Sequence, residues 1–574
     1  MRRIVFFTIL IGLNVLSCKS PKSVKNEVNV HLLSDPDRLM PYVSNSADAT
    51  ALERFLFQKL ITWDYEKNEL VGELAIGRPV ITANGSGVRL DFEIRPEARW
   101  DNGTPITAND VLFTYKAILN PKANTEHMRV YFELIDKVEI DSRNPKKFSV
   151  FTKEKYILIE EYSGYWVLPE YALDPNQVLR KYNIADFKNE VIQEVISKDN
   201  AMIRFTENFN SQKVAREKNS LIGSGAYQLE EWKTGSKISF IKKKNWWGRK
   251  CSDSFVRNFG QLDKLKFKII NDWSTATTAI KGKEIDVMKG VEFKVFNELK
   301  SEKRFTDNFT AHTPISLQYS YIGFNMSNPK LKDLNVRKAL AHAVNKDQLI
   351  NTLLYGLAVP TESMVGPSES YYNNNLKKFE YDLEESKKLL DEAGWKDSDG
   401  DGVRDKVVAG KLTKLELQYK YNAGNETRKN IGLIFKENLK KIGIELTIVN
   451  KEFTVFLDDL KKHDFEVCIG AWVGDPTVTD PKQIWHTSSS KSGSNYLYYG
   501  DASSDKLIDE IRQELNPTRR DQLYAQFQEK VHNDIPCIFL FAPLERIAIS
   551  KKFSNAKAYP VRPGYDLGLW QVAK

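Results

Sequence analysis

At 574 residues the chain is too long for one hydrophobic core, since cores stop growing near ~250–300 residues, so two or three domains are expected. Hydrophobic content of 41% and charged content of 28% place it among ordinary globular proteins. The 84 basic and 76 acidic residues are spread along the whole length, with no dense basic tract interleaved with aromatics, which excludes a nucleic-acid footprint.

The first eighteen residues stand apart. Arg2 and Arg3 give a cationic start, Ile4 to Leu16 is nearly all apolar, and Ser17-Cys18 follows. The apolar run is shorter than the ~20 residues a spanning helix needs, so the layout predicts a secretory signal over 1–17. Val15-Leu16-Ser17-Cys18 resembles a bacterial lipobox, which implies lipidation of Cys18. Residues 18–27 are then a short polar tether. The expected location is extracytoplasmic, in the periplasm or cell envelope, with the chain anchored to a membrane rather than spanning it. Beyond Cys18 the cysteines are Cys251, Cys468 and Cys537, an odd number with no CxxC spacing. Seven scattered histidines form no paired ligand set.

The mature part mixes strands and helices without a fixed repeat. Val88 to Ile94 alternates apolar and polar residues, as a half-buried strand does. Trp100-Asp101-Asn102-Gly103-Thr104-Pro105 is turn chemistry, and Thr107 opens a helix with Val111, Leu112, Tyr115 and Ile118 on its inner stripe. Ser224 to Leu229 leads to a strand pair through Trp232 and Gly235. Tyr319 to Asn325 reads as a buried strand. A helix is expected to carry Val336, Leu340, Val344, Ile350 and Leu354, and a capping box of Asp382 with Glu385 starts another that stops at Gly394. A third carries Ile431, Phe435 and Leu439 and ends at Gly443, before a strand over 444–449. Leu523, Phe527 and Val531 share a helix face, and Cys537 to Phe541 is an apolar strand. The succession indicates an α/β protein.

Five segments, in order, resemble the large extracytoplasmic solute-binding proteins of dipeptide and oligopeptide ABC importers, family 5. They are Trp100 to Val111, Gly223 to Leu229, Lys283 to Val287, Tyr321 to Asn325 with Val336 to Ala341, and Lys388 to Trp395. The resemblance implies a two-lobed periplasmic-binding-protein-like fold with a hinge between the lobes and an extra subdomain in the first lobe. The first lobe would take 28–315, the second 316–545, and 546–574 would return to the first. Crossing strands are expected near 313–322 and 538–547.

Ala471 to Asp475 resembles the family segment whose aspartate receives a peptide α-ammonium, which puts that role on Asp475, with Trp472 and Gly474 beside it. Read without the family, Asp475 with Pro476 simply shapes a turn. The segment matching Tyr42, Ser44 and Asn45 borders the family's pocket, making these three candidate contacts. No residue stands out for a peptide carboxylate. Asp397, Asp399, Asp401 and Asp405 have the spacing of a calcium loop, with Val408 where a bidentate glutamate usually sits; the alternative is a solvated Asp/Gly turn.

These features predict a non-enzymatic carrier that needs no cofactor beyond that candidate structural calcium, captures short peptides and delivers them to a permease as a monomer. Another solute, such as a metal complex or an oligosaccharide, and a ligand-sensing role are the alternatives of the same class. A secreted peptide hydrolase would need a nucleophile elbow, a zinc motif or a Ser–Lys signature, none of which is present.

Overall fold

The computed structural model describes residues 25–44 and 46–573, so Cys18 and Asn45 lie outside the described residues. The first strand, Glu27–Leu32, pairs in parallel with Lys264–Ile269 and, through Val30, with Val287–Lys289. Around it forms a seven-stranded sheet ordered Phe309–His312, Ile547–Ser550, Val287–Lys289, Glu27–Leu32, Lys264–Ile269, Lys237–Lys242 and Tyr227–Lys233. The second large sheet has six strands, in the order Ala358–Pro360, Cys537–Pro543, Gln318–Phe324, Val467–Val473, Glu416–Asn422 and Glu445–Lys451. A separate antiparallel sheet of four strands, all between residues 80 and 152, sits on the first lobe. Mixed sheets flanked by helices give the expected α/β class, and no described helix is long and apolar enough to cross a membrane.

The chain passes between the large sheets twice. It leaves the first after His312 and enters the second at Gln318; it leaves the second after Pro543 and re-enters the first at Ile547. The two passages pair with each other. Ile315 bridges Leu544, Ser316 N donates to Pro543 O at 3.0 Å, and Glu545 N donates to Pro314 O at 2.8 Å. A short two-stranded ribbon therefore joins the lobes, narrow enough to bend and tied tightly enough not to splay.

The segments that carried the family resemblance have plain structural reasons. Asp110 accepts from Trp100 Nε1 at 3.1 Å and from Thr107 N at 2.8 Å, so one carboxylate ties the Trp100–Pro105 turn to the start of helix Ala108–Leu119. Gly223 and Gly225 lie against the end of helix Ala47–Leu56: an added Cβ would stand 2.1 Å from Leu56 O and 2.4 Å from Phe55 O, respectively. Only glycine permits that approach.

Two local expectations need correcting. The stretch from Val336 to Leu354 is two helices, Leu334–His342 and Lys346–Leu353, because the Asn345 side chain accepts from Gln348 N at 2.9 Å and caps a new start. At Leu383–Glu392 only half of the capping box forms. Asp382 accepts from the Glu384 and Glu385 amides, both at 2.9 Å, while the Glu385 side chain turns outward to Lys388. All three described cysteines are free and buried; burial pushes the Cys468 thiol up to about 12.

Because the obstruction at Gly225 is backbone and not a yielding side chain, Gly225→Ala is expected to destabilise the protein by about 1–3 kcal/mol. A lower denaturant midpoint at unchanged m-value is the expected reading, and an unchanged midpoint contradicts the close approach.

Candidate ligand-binding cleft

A cavity of about 460 Å³ lies between the lobes. The first lobe contributes Lys59, Trp63, Glu161, Tyr165, Lys289 and Arg562; the second contributes Gln318, Val473, Gly474, Asp475 and Pro476. A second chamber of about 290 Å³ shares Trp63, Leu70, Glu161, Leu317 and Pro476 with the first. The mouth is bridged. Thr477 Oγ1 donates to Glu161 Oε2 at 2.9 Å, Tyr156 OH to Asp480 Oδ2 at 3.0 Å, and Ile157 N to Arg512 O at 2.9 Å. Arg512 Nε closes this set on Asp480 Oδ2 at 2.9 Å, so the lobes touch on one side of the cleft.

Asp475 follows strand Val467–Val473, whose backbone pairs with Gln318–Phe324 in register Val473 with Gln318 and Trp472 with Tyr319. Its amide donates to Thr479 Oγ1 at 3.0 Å, forming a turn. The carboxylate has no hydrogen-bond or ion-pair partner among the described residues. The residue is exposed to the cleft, yet enclosure between the lobes, together with the Glu161 and Asp480 carboxylates, pushes its carboxyl up to about 7. The backbone shapes the turn that the sequence predicts, and the side chain is left without a partner among the described residues.

Across the cleft stand cations. Lys59 Nζ lies 3.7 Å from the Tyr165 ring centroid and 4.9 Å from that of Trp166, and burial pulls the amine down to about 8 against the opposing fields of Glu161 and Glu73. Lys289 is likewise lowered by burial, with Glu545 and Asp48 pulling the other way. Neither lysine, nor Arg562, has a carboxylate partner among the described residues. Sequence reasoning missed all three, and also Glu161. The signal available was a charge inside an apolar or aromatic run: Lys59 within Phe55 to Ile61, and Glu160-Glu161 within Tyr156 to Trp166.

Residues 70–496 match the model of bacterial extracellular solute-binding proteins, family 5. The chain belongs to this family. It is 28% identical over 547 residues to the oligopeptide-binding protein AppA of Bacillus subtilis, covering 94% of this chain and 91% of that protein. It is 24% identical over 460 residues to the nickel-binding periplasmic protein of Escherichia coli, covering 79% and 78%. The solved structure of Bacillus subtilis AppA with a nonapeptide has a TM-score of 0.68 at 26% identity, covering 96% of this chain and 99% of that one.

Within this family 5 protein the other sequence-predicted contacts fall differently. Gly474 lines the cavity, but its amide donates to Leu317 O at 2.9 Å, and an added Cβ would lie 3.2–3.3 Å from Thr479, Glu369 and Leu317. Its close approach is to the crossing strand, not to open space for a ligand backbone. Trp472 stacks on Tyr496, with ring centroids 6.0 Å apart, and does not line the cavity. Tyr42 is buried behind the wall: at φ +71° its hydroxyl donates to Trp166 O at 2.6 Å, so it braces a lining residue without reaching the cleft. Ser44 is buried as well, donating to Asp37 Oδ1 at 2.5 Å.

The acidic loop departs from a calcium cage. Carboxylate oxygens of Asp397, Asp399 and Asp405 come within 4.8 Å of one another, but Asp401 is turned away to Lys414, whose Nζ also lies 3.1 Å from Asp399. Asp397 accepts from Gly400 N and Gly402 N at 2.8 and 3.0 Å, and Asp405 accepts from Ser398 Oγ at 2.6 Å. Calcium takes six to eight oxygens, and here a lysine already supplies the positive charge. Three of the four carboxylates converge, and Lys414 pairs with Asp399 and the fourth, Asp401.

The Asp475 carboxyl is raised above its unfolded value. It therefore favours the empty, closed protein while protonated, at low pH, and that contribution is lost as pH rises through about 7. Asp475→Asn is expected to raise the thermal midpoint of the ligand-free protein by about 1–2 °C at pH 8, by less at pH 5, and to leave it unchanged at about pH 3, below the ordinary carboxylate range. A loss of stability at pH 8 contradicts this account.

Proposed function

We propose that this protein is the extracytoplasmic binding component of an ABC importer and that it carries short peptides, held with the α-ammonium at Asp475. The observation that carries the reading is the unpartnered Asp475 carboxylate facing a cavity whose opposite wall bears Lys59, Lys289 and Arg562. A zwitterion with separated charges is the guest such a pair of walls suits. Isolated charges are costly to enclose, and a guest of complementary charge offsets that cost with charge-assisted hydrogen bonds. The peptide-bound state of the related AppA supports the same ligand class. The walls offer carboxylate, amine and guanidinium instead of imidazole or thiolate, which favours peptide over a bare transition metal.

In this reading the first lobe takes 28–315 and 546–574, the second takes 316–545, and the ribbon at Ile315 and Leu544 is the hinge. A ligand touching both walls favours closure by its differential affinity for the closed state, and a membrane permease reads that shape. Residues 1–17 act as the export signal and Cys18 as the lipid-bearing residue that keeps the carrier, a monomer, at the membrane. The role is delivery, not catalysis.

Peptides eluted from the purified protein and identified by native mass spectrometry are the direct test. N-acetylation of a bound peptide is expected to weaken it by about tenfold or more, since it removes the ammonium. The free peptide should bind best between about pH 7, where Asp475 ionises, and about pH 8, where an α-amine loses its proton. In calorimetry, Asp475→Asn removes the acid limb of that profile. Equal affinity for acetylated and free peptides refutes the ammonium site.

A further inference from the structure

The described chain begins beside a basic hollow of about 650 Å³ on the first lobe. It forms at one end of the first sheet, where strands Glu27–Leu32 and Lys264–Ile269 start and Lys237–Lys242 finishes. Six cations line it, Lys25, Lys242, Lys243, Lys244, Arg249 and Lys264, against three carboxylates, Glu27, Glu230 and Asp263. Each carboxylate is already paired: Asp263 with Lys242 at 2.7 Å, Glu230 with Lys264, and Glu27 with Lys266 at 2.8 Å. Lys243 is held by Asp101 at 2.6 Å. Lys25, Lys244 and Arg249 are left without an ion pair among the described residues; Lys25 and Lys244 are exposed, and Arg249 donates only to Gly260 O. Trp246 and Trp247, next to these cations in sequence, are buried, so the face holds charge without an aromatic platform on which bases could stack.

The point where the chain leaves this face is fixed. Asn26 O accepts from Asp263 N at 2.8 Å and Asn26 Nδ2 donates to Gln261 O at 3.2 Å, which pins Lys25 at the rim of the hollow. Seven peptide links join Cys18 to Lys25. At ~3.6 Å per residue the two stand no more than ~25 Å apart. A globular chain of about 550 residues has a radius of gyration of ~24 Å, so a tether of that length does not reach round the molecule. The face it can lay on a membrane is the one around Lys25.

We propose that this basic hollow is a membrane-facing surface, seated on the anionic phospholipid headgroups of the membrane that holds the Cys18 anchor. The inference rests on the lipid-anchor reading and adds an orientation to it. The negative potential of such a surface strengthens binding about fivefold for each unpaired cation and acts within a Debye length of ~8–10 Å. A single lipid-bearing residue lets the carrier swivel; a second, electrostatic contact beside it sets which face of the first lobe meets the bilayer.

The test is sedimentation of the mature chain, made as Cys18→Ser so that no acyl group contributes, with vesicles of phosphatidylcholine alone or with about 30% phosphatidylglycerol. The chain is expected to bind the anionic vesicles at about 50 mM salt, to leave them at about 500 mM, and to ignore the neutral ones. Lys25→Gln with Lys244→Gln weakens that binding about 25-fold. Lys411→Gln with Lys440→Gln, which removes the same charge from exposed sites on Lys411–Lys414 and Glu426–Lys440, leaves it within about twofold. Equal binding to both vesicle types, or equal loss in the two double variants, overturns the surface while the anchor stands. In parallel, the intact mass of the wild-type protein extracted from membranes reads the acyl groups on Cys18. Their absence refutes the anchor, and with it the seating proposed here.

Discussion

Charges held apart across a gap are the constraint on which the cleft depends. Asp475 on one lobe and Lys59, Lys289 and Arg562 on the other have no partners of their own, and the fold keeps them from collapsing onto one another. That separation is maintained by neighbours already satisfied. Glu161 is engaged by Thr477, and Asp480 by Tyr156 and Arg512. Where every flanking polar group is paired, the few left over define what a guest must supply.

The ribbon between the lobes lies beside that charge pattern. The Ile315–Leu544 pairing allows bending about one line, while the strands it continues, Gln318–Phe324 and Cys537–Pro543, lie side by side inside the second sheet. Gly474 packs on Leu317 beside this ribbon. The turn bearing Asp475 is therefore anchored to the passage between the lobes.

Much of the frame was legible in the sequence because it depends on local rules. Apolar–polar alternation placed the strand through Val88 to Ile94, the Gly443 stop ended a helix, and the Trp100–Pro105 turn marked a helix start that Asp110 completes. The misjudged helix through Ala343 failed for a local reason too: Asn345 looks like any polar residue until its side chain is seen capping Gln348. The cleft was harder to read. Asp475 was legible only through family resemblance. Lys59 with Trp63, Lys289, Arg520 and Arg562 come from four distant parts of the chain, and nothing in local spacing says that they converge. Tyr42 and Ser44 were placed at the rim by similarity, but tertiary packing turned both inward, to Trp166 and Asp37.

The order of strands in the first sheet bears on when the fold can be completed. Ile547–Ser550 lies between Val287–Lys289 and Phe309–His312, two strands made more than two hundred residues earlier. Until the last few dozen residues have emerged from the ribosome, the first lobe lacks an inner member of its sheet, and two edges stay unpaired. Non-local pairing of this kind is slow to form. The topology itself thus delays completion of the fold until the chain is nearly whole.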